Sequence, residues 1–268
     1  MLSEKQFEKY EQLIYKHLGI SYRQAKREML LSKLNKLLRR TGVTSYDEYY
    51  DLLLNKSNNK IWDSFVDEIT IHKTDFFREE NHFEFIKNNL NTIFQNNPRI
   101  TKNNEIRVWS SACSTGEEAY TIAMVLKECL PESINIKILG TDISNKVVSQ
   151  AQRGIYDLSE LTVFNSYQTH QYFDKIEGKH IVKPAIKELI TFRTFNLMEN
   201  FPFKNNFDII FSRNVMIYFD NPTQEKLIKK YYNVLTSGGL LFIGHSESLT
   251  QKQYKFKYMH PTIYMRIV

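Results

Sequence analysis

The segment that most constrains the fold of this chain is residues 107–120, which read RVWSSACSTGEEAY. Residues 107–109 suit a buried β-strand, and the small residues 110–115 form a tight turn. From Ala119 onward, apolar residues recur at helical spacing. A strand, a turn of small residues and a helix N-terminus form the usual seat of an adenosine-bearing cofactor in an α/β sheet. An ordinary strand-to-helix turn accounts for the same residues, so both interpretations stay open for this segment alone.

Two acidic residues, Glu117 and Glu118, begin the helix of this segment, where a phosphate would otherwise bind. Two carboxylates repel a pyrophosphate, but they attract a cation and accept hydrogen bonds from a ribose. We therefore predict S-adenosylmethionine as the cofactor, because it carries a positive sulfonium and no phosphate. Gly116 is expected to let this ligand approach the backbone closely.

The positive charge of the chain is concentrated in one segment. The 268 residues have a formal net charge of +6. Residues 22–40 contain seven basic residues against the single acid Glu28, and such a local excess indicates a docking face. The seven are Arg23, Lys26, Arg27, Lys33, Lys36, Arg39 and Arg40.

Several classes of protein are excluded by composition. The two cysteines, Cys113 and Cys129, give no disulfide framework and fit a reducing cytoplasm. The histidines show no spacing typical of a metal site, so we expect no metal. No stretch approaches the roughly 20 apolar residues that span a bilayer, and we expect no signal peptide.

Periodicity divides the chain into three parts. Residues 1–72 are predicted to form an all-α domain, residues 73–104 an interdomain segment with a linker helix, and residues 105–268 an α/β domain. Gly19 is expected to end the first helix, and Thr44 or Ser45 to cap the third. The helices of the first two parts are predicted at about residues 7–18, 22–40, 45–54, 61–69 and 80–94, with a loop at 95–104.

From residue 105 strands and helices alternate, which predicts a parallel sheet. Between residues 155 and 190 the alternation lapses, which indicates an insert. The predicted strands are residues 106–110, 134–141, 207–213 and 240–245, the helices 117–129, 144–152 and 223–235, the terminal antiparallel hairpin 254–260 with 262–268, and the elements of the insert a helix at 167–173 with strands at 179–183 and 189–192.

Polar residues follow the predicted strands at the carboxyl edge of the sheet, where open α/β sheets bind ligands. Asp142 can accept hydrogen bonds from a ribose diol there, although it can equally cap the next helix, a role also open to Ser144. Asn196 and Leu197 follow another strand and can frame an adenine.

A second polar group follows the apolar run FDIIF. Arg213, Asn214 and Tyr218 come after this strand, and an arginine with a tyrosine at a cleft can hold a carboxylate. Tyr218 can instead pack as a core aromatic. Arg78 adjoins two phenylalanines in KTDFFRE, which favours a place in the cleft between the two domains.

These motifs occur together over nearly the full length of the chain. They read ITIHKTDFFRE, VWSSACSTGEEAY, ILGTDIS, GIYDLSEL, FNLMENFPF, FDIIFSRNVMIYF and GLLFIGHSESL. The chain resembles the chemotaxis-receptor glutamate methyltransferases, the CheR family. The resemblance implies an α/β fold with a Rossmann-like class I methyltransferase sheet, a terminal antiparallel hairpin, a small antiparallel β-subdomain inserted at residues 158–190, and an N-terminal all-α domain. It also implies S-adenosylmethionine-dependent methylation of receptor glutamates, with S-adenosylhomocysteine as the product.

The resemblance further implies roles for individual residues. Arg78 and Tyr218 would be catalytic. Glu118, rather than Glu117, would bind the methionine portion of the cofactor, and Asp142 its ribose. The full set implied to bind the cofactor is His72, Thr74, Arg78, Glu118, Asp142, Asn196, Leu197, Arg213 and Asn214.

The implied partner is the cytoplasmic helical domain of a chemoreceptor, whose acidic methylation helices would dock on the basic second helix. The protein is expected to be cytoplasmic and recruited to membrane-bound receptor arrays, without inserting into the membrane and without a nucleic-acid partner. The docking residues would be Lys26, Lys33, Lys36 and Arg40.

Two positions depart from the family pattern. His72 stands where the family usually has asparagine, which leaves open whether the usual cofactor contact is kept. Residues 174–182 (DKIEGKHIV) form a short loop with one glycine, whereas family members that tether to a receptor's C-terminal pentapeptide carry a longer, glycine-rich loop. No pentapeptide tether is therefore expected.

Two other functions compete with this interpretation. A nucleic-acid methyltransferase would use the basic helix to hold phosphates, but the basic side is one helix wide and lacks interleaved aromatic residues. A binding module that has lost activity is favoured only by His72. Because a glutamate side chain is ionised at neutral pH, with a pKa of about 4.3, methyl transfer to it needs no general base.

Overall fold

The computed structural model describes residues 2–22, 26–55, 59–249 and 255–267. Five positions in predicted elements, residues 23–25, Tyr254 and Val268, lie outside the described residues. The chain begins with the predicted all-α domain. Its helices are α1 (Glu4–Leu18), α2 (Arg27–Thr41), α3 (Tyr46–Leu54) and α4 (Asn59–Ile69).

The ends of these helices follow the sequence signals only in part. Gly19 ends α1 in a left-handed conformation with φ of 70°, as predicted. Ser45 is at the N-cap of α3, but its side chain makes no capping hydrogen bond. Helix α2 begins at Arg27, later than the predicted residue 22, and the side chain of Tyr22 is buried and donates its hydroxyl hydrogen to the carbonyl of Ile69 (3.2 Å).

The segment between the two domains contains α5 (Asn81–Asn88), α6 (Leu90–Asn96) and α7 (Arg99–Asn103). The predicted single helix at residues 80–94 is therefore wrong. Asn89 leaves the helical conformation with φ of −124° and donates its side-chain amide to the carbonyl of Phe85 (2.8 Å). The predicted loop at residues 95–104 is wrong as well, since Arg99 in α7 donates to the carboxylate of Asp208 (2.9 Å) and fixes the segment to the sheet.

The α/β domain has a main sheet with the predicted, mostly parallel architecture. Ten strands are described in all: β1 (Glu105–Ser111), β2 (Asn135–Asp142), β3 (Ile155–Tyr156), β4 (Phe173–Ile176), β5 (Lys179–Val182), β6 (Ile190–Thr194), β7 (Phe207–Ser212), β8 (Leu235–Ile243), β9 (Phe256–His260) and β10 (Ile263–Arg266). The main sheet has the order β6-β2-β1-β7-β8-β10-β9. The pairs from β6 to β8 are parallel, and β10 is antiparallel to β8 and to β9, which confirms the terminal hairpin.

Strand β8 begins before the predicted residue 240 because the chain bulges where it pairs with β7. Gly238 lies in this stretch with φ of 73°, and a Cβ atom there would come within 1.9 Å of the carbonyl oxygen of Asn96. Glycine is therefore required for α6 to pack against this strand.

Helices cover the main sheet and bury its central strands, since every residue of β7 is buried. Helix α8 is apolar on nearly all sides, and its residues 119–126 are buried throughout. No helix in the described parts of the chain is both long and apolar enough to cross a membrane. The helices of this domain are α8 (Glu117–Cys129), α9 (Asn145–Arg153), α10 (Ser166–Tyr172), α11 (Pro184–Lys187) and α12 (Asn221–Val234).

The insert is a small antiparallel sheet with the order β3-β5-β4. Strand β3 lies before residue 158, the predicted start of the insert, and strand β4 was not predicted. The strand predicted in the insert at residues 189–192 belongs instead to the main sheet, where β6 pairs in parallel with β2. The short loop predicted at residues 174–182 consists of β4 and β5, which are joined by a two-residue turn at Glu177 and Gly178 with φ of 50° and 80°.

The all-α domain contacts the carboxyl edge of the main sheet through the residues that follow α1. Ile20 forms an antiparallel bridge with Phe219, and the N–H of Ser21 donates to the carbonyl of Tyr218 (3.1 Å). The two domains therefore share a short stretch of backbone pairing beside the sheet edge.

Gly116 has a different role from the one predicted. A Cβ atom at this position, where φ is 103°, would lie 2.9 Å from the Cβ of Ala151 and 3.1 Å from the hydroxyl of Tyr156. The missing side chain therefore makes room for α9 and for the inserted sheet. The expected close approach of a ligand to Gly116 is not supported, since Gly116 is absent from the lining of the cavity described next.

Candidate cofactor site

A cavity of about 290 Å³, here called the central cavity, opens where the all-α domain meets the carboxyl edge of the main sheet. Its wall comes from the turn after β1, the ends of β2, β6 and β7, residues 69–78 and the chain between α1 and α2. All residues predicted to bind the cofactor or take part in chemistry line it: His72, Thr74, Arg78, Glu118, Asp142, Asn196, Leu197, Arg213, Asn214 and Tyr218. Their individual roles stay predictions.

The turn after β1 has a strained backbone. Ala112 has φ of 114° and Ser114 has φ of 49°, values that residues other than glycine seldom adopt. The backbone N–H groups of Ala112 and Cys113 both donate to the carbonyl of Thr141 (2.8 Å each), and the hydroxyl of Ser114 donates to the carbonyl of His72 (2.7 Å). Bonds to β2 and to the interdomain segment thus hold the turn in a shape that presents Ala112 and Ser114 to the cavity.

Asp142 ends β2 with its carboxylate fixed by backbone donors. Its Oδ2 accepts from the N–H of Ser114 (3.0 Å) and its Oδ1 from the N–H of Ser144 (3.1 Å). Burial raises the pKa of Asp142, and His72, with Nδ1 3.9 Å from Oδ1, opposes that rise. The cap of α9 is Ser144, whose hydroxyl accepts from the N–H of Val147 (3.2 Å). The alternative interpretation of Asp142 as the helix cap is therefore wrong.

Of the two acids at the start of α8, only Glu118 lines the cavity. Its Oε1 accepts from the hydroxyl of Ser110 (2.6 Å), and its Oε2 lies 3.5 Å from Nη1 of Arg213. Burial raises the pKa of Glu118, and Arg213 opposes the rise. Glu117 is buried elsewhere against the hydroxyl of Thr115, and burial raises its pKa to about 7. Of the two acids that begin α8, one carboxylate and not the expected two faces the cavity.

Arg213 is a buried connector with only 1% of its side chain exposed. Its Nε donates to Oε2 of Glu79 (3.2 Å), and its Nη2 donates to the carbonyl of Arg78. Burial raises the pKa of Glu79, but Arg213 and neighbouring hydrogen-bond donors lower it by more. Asn214 donates its side-chain amide to the other oxygen of Glu79 (3.2 Å). Arg213 therefore fixes Glu118 and the turn at Arg78 and Glu79, and it does not offer a free guanidinium to the cavity.

Arg78 and Tyr218 approach the cavity from different segments of the chain, the interdomain segment and the loop after β7. Nη1 of Arg78 donates to the carbonyl of Lys73 (2.9 Å). Tyr218 ends the 3-10 helix Met216–Tyr218 and packs against the core of the all-α domain while lining the cavity. Burial raises the pKa of Tyr218, and the charge of Arg78 opposes that rise, which places the two side chains within electrostatic reach of each other.

The side of the cavity next to β6 is mostly apolar. The amide of Asn196 is already bonded there, since it donates to the carbonyl of His17 (2.7 Å) and accepts from the N–H of Met198 (2.9 Å). Its predicted contact with a cofactor must therefore use the second amide hydrogen or the remaining lone pair. Sequence reasoning missed Ile143, which directly follows β2 at this edge of the sheet. The apolar residues lining this side are Ile143, Phe195, Leu197 and Met198.

The four residues predicted to dock a partner divide into separate groups. Lys33 is half-buried and donates to the carbonyl of Glu68 (2.6 Å) at the end of α4, so it caps that helix, and its docking role stays a prediction. Burial lowers the pKa of Lys33. Lys36 and Arg40 are exposed and share the carboxylate of Glu68 at 2.9 and 3.5 Å. Lys26 lines the central cavity.

Glu247, which sequence reasoning missed, fixes the loop that carries Asn214 and Tyr218. Its Oε2 accepts from the N–H groups of Gly244 (2.6 Å) and Asn214 (3.2 Å), and its Oε1 from the N–H of Ile217 (3.2 Å). Burial raises the pKa of Glu247, and these N–H groups oppose the rise. Its position just after β8, at the same sheet edge as Asp142, was the signal that could have identified it.

Comparison with known proteins gives matches over nearly the whole chain. The family model described as the CheR methyltransferase SAM-binding domain matches residues 72–265, and the CheR methyltransferase all-alpha domain matches residues 5–70. A chemotaxis protein methyltransferase of Borreliella burgdorferi is 36% identical over 259 residues, which are 95% of this chain and 91% of that protein. A chemotaxis protein methyltransferase of Escherichia coli K12 is 34% identical over 269 residues, covering 98% and 91%. A solved structure, the glycopeptide N-methyltransferase MtfA with S-adenosyl-L-methionine, is only 9% identical, with a TM-score of 0.36 over 60% of this chain and 53% of that one.

Proposed function

The chain belongs to the CheR methyltransferase family, whose cofactor is S-adenosylmethionine, and from that premise we propose that it methylates glutamate side chains of chemotaxis receptors. The observation that carries the proposal is the central cavity itself. Asp142 of β2 and Glu118 of α8 line it together with Arg78 and Tyr218, so one space can hold a cationic donor beside a carboxylate acceptor.

The donor set fits S-adenosylmethionine. Glu118 offers the cavity a carboxylate without a neighbouring phosphate-binding glycine loop, which suits the positively charged methionine portion of the cofactor. Asp142 keeps lone pairs beyond its two backbone bonds, which suit a ribose diol. We assign the adenine to the apolar side next to β6, with Leu197 as part of its wall, and the remaining predicted contacts to His72 and Thr74.

Bound S-adenosylmethionine supplies a methyl group that passes to the acceptor as its carbon–sulfur bond breaks, leaving S-adenosylhomocysteine. The acceptor carboxylate is already ionised at neutral pH, so no residue of this chain has to remove a proton. Arg78 and Tyr218 instead orient the carboxylate oxygen, and the surrounding walls exclude water. Orientation of this kind supplies about 7–11 kcal/mol of rate enhancement.

We propose that the acceptor reaches the cavity from a receptor docked on α2. Lys36 and Arg40 are exposed on this helix, and Lys26 lies nearer its start and lines the cavity, so positive charge extends from the surface to the central cavity.

We further propose a cytoplasmic enzyme recruited to membrane-bound receptor arrays without a pentapeptide tether, because the β4–β5 turn has only two residues. Retention of the protein by an immobilised receptor pentapeptide at micromolar affinity would contradict that last point.

Replacing Tyr218 by phenylalanine tests the orientation of the acceptor. We expect kcat with receptor membranes and labelled S-adenosylmethionine to fall about tenfold or more, because the hydroxyl that aims the carboxylate is lost. The dissociation constant of S-adenosylhomocysteine should stay within about twofold. If alkali releases the labelled methyl group as methanol, that group was bound as a carboxyl ester and not to nucleic acid.

The control is Tyr15→Phe, which also removes a hydroxyl group near the same loop, where Tyr15 donates to Asp220 (3.0 Å). This variant should keep its turnover. An unchanged rate in Tyr218→Phe would remove Tyr218 from the mechanism.

Replacing Glu247 by glutamine tests whether this residue positions the loop that carries Asn214 and Tyr218. An amide nitrogen would then face backbone N–H donors, and each buried donor left unsatisfied costs about 1–3 kcal/mol. We expect kcat to fall about tenfold while the protein stays folded at the assay temperature.

The matched control for this variant is Asp208→Asn. Asp208 is an equally buried carboxylate that accepts from the N–H of Arg107 (2.8 Å), but it lies at the opposite end of the sheet. This control should lower the melting temperature and leave kcat within about twofold. Equal effects of both variants on kcat would show that Glu247 acts only through stability.

Charge removal on α2 tests the docking surface. The double variant Lys36→Gln with Arg40→Gln should raise KM for receptor membranes about fivefold at low salt. The difference should shrink at about 0.5 M salt, because exposed charges are screened there. The affinity for S-adenosylhomocysteine should not change.

Two controls separate docking from general effects. Lys226→Gln with Lys229→Gln removes two exposed charges from α12 and should leave KM unchanged. Lys33→Gln removes the cap of α4 and should lower the free energy of unfolding by about 1–2 kcal/mol. A KM that is unaffected by the α2 variant would rule out this surface as the receptor-binding face.

A further inference from the structure

Three potential metal ligands lie together beside the central cavity, and the proposed function uses none of them. Glu79 and His82 flank the start of α5, and His245 follows β8. Their ligand atoms all lie within 4.8 Å of one another. Nδ1 of His82 is 3.7 Å from Oε2 of Glu79, and Nε2 of His245 is 4.0 Å from the same oxygen.

The hydrogen-bond pattern defines which nitrogen of His82 carries the proton. The hydroxyl of Thr262 donates to the carbonyl of Pro261 (2.6 Å), so it accepts from Nε2 of His82 (2.7 Å). A neutral imidazole carries a hydrogen on only one ring nitrogen, and in this arrangement that nitrogen is Nε2. Nδ1 therefore carries a lone pair. It is fully buried and has no hydrogen-bond partner among the described residues.

This lone pair faces a second acceptor, the ionised carboxylate of Glu79. Two acceptors 3.7 Å apart repel each other unless something positive or a donor lies between them. Zinc binds histidine nitrogen and carboxylate oxygen at about 2.0–2.2 Å, which separates neighbouring ligand atoms in a tetrahedral site by about 3.4 Å. The two observed separations, 3.7 and 4.0 Å, exceed that value by about 0.3 and 0.6 Å, and the larger excess belongs to the exposed side chain of His245, which is free to rotate toward the ion.

We propose that Glu79, Nδ1 of His82 and Nε2 of His245 form a binding site for a divalent transition-metal ion of the Zn²⁺ type. Two histidines and one carboxylate are a donor set that zinc uses in proteins. His245, with 52% of its side chain exposed, gives the ion a route from solvent. To ligate, His245 exchanges its contact with Oδ1 of Asn81 (2.9 Å) for the metal.

The ion would compete with Arg213, whose Nε donates to the same oxygen of Glu79 (3.2 Å). Arg213 also lies 3.5 Å from Glu118, which lines the central cavity. Metal binding would therefore loosen the support of Glu118 and weaken cofactor binding, and the cofactor would weaken metal binding by the same factor. This coupling rests on the proposed function, whereas the metal site does not.

The test is a titration of the chelator-treated full-length protein with ZnCl₂ by calorimetry, without cofactor or receptor. We expect one ion per chain, and a loss of affinity of about tenfold or more in His245→Ala, which removes an exposed ligand with little risk to folding. Substitution with Co²⁺ should give the visible absorption of a tetrahedral ion in the wild type and not in this variant. His170→Ala, at an exposed histidine on α10, is the matched control and should bind as the wild type does.

The outcomes separate this proposal from the proposed function. Failure of Zn²⁺ to bind at about 100 μM, or equal binding by wild type and His245→Ala, would overturn the site whatever the methyl-transfer assays show. A further titration with S-adenosylhomocysteine, with and without Zn²⁺, measures the coupling. We expect about a threefold or greater loss of affinity with the metal present, and equal affinities would refute the coupling.

Discussion

A single buried guanidinium, that of Arg213, links the elements that make the central cavity. It joins the end of β7 to Glu79 of the interdomain segment and to Glu118 at the start of α8. An ion this deeply buried is tolerated only when it is paired, and removing one partner of such a pair typically costs about 3–5 kcal/mol. Glu118, the turn at Arg78 and the loop after β7 therefore keep their relative positions because they share one charge.

Backbone hydrogen bonds to two further buried carboxylates fix the other turns at this edge of the sheet. Asp142 and Glu247 are both buried acids at the carboxyl edge of the sheet, and both accept from main-chain N–H groups of neighbouring turns. A carboxylate held in this way connects two loops without depending on a side-chain partner, so the strained turn at Ala112 and the loop before Tyr218 keep defined shapes. Such preorganisation suits a reaction in which positioning, rather than proton transfer, lowers the barrier.

Much of this arrangement could be predicted from sequence because its signals are local. The helix at residues 117–129 has the predicted bounds, and Asp142 and Arg213 follow apolar strands whose carboxyl ends meet at one edge. What was missed depends on contacts between distant residues. Asn89 breaks a helix that periodicity makes continuous, and Lys33 caps a helix that lies far from it in the sequence. No local pattern reveals partners of that kind. The choice between Glu117 and Glu118 likewise depends on which of them α8 turns toward the cavity.

The bridge between Ile20 and Phe219 gives the all-α domain a part in shaping the methyltransferase half. This bridge joins the all-α domain to the loop after β7 and not to the sheet itself, so the position of Tyr218 depends on backbone contacts with the preceding domain. An exchange of all-α domains between members of the family would therefore have to keep the stretch around Ser21 matched to the loop at Tyr218, because the two domains share backbone hydrogen bonds there.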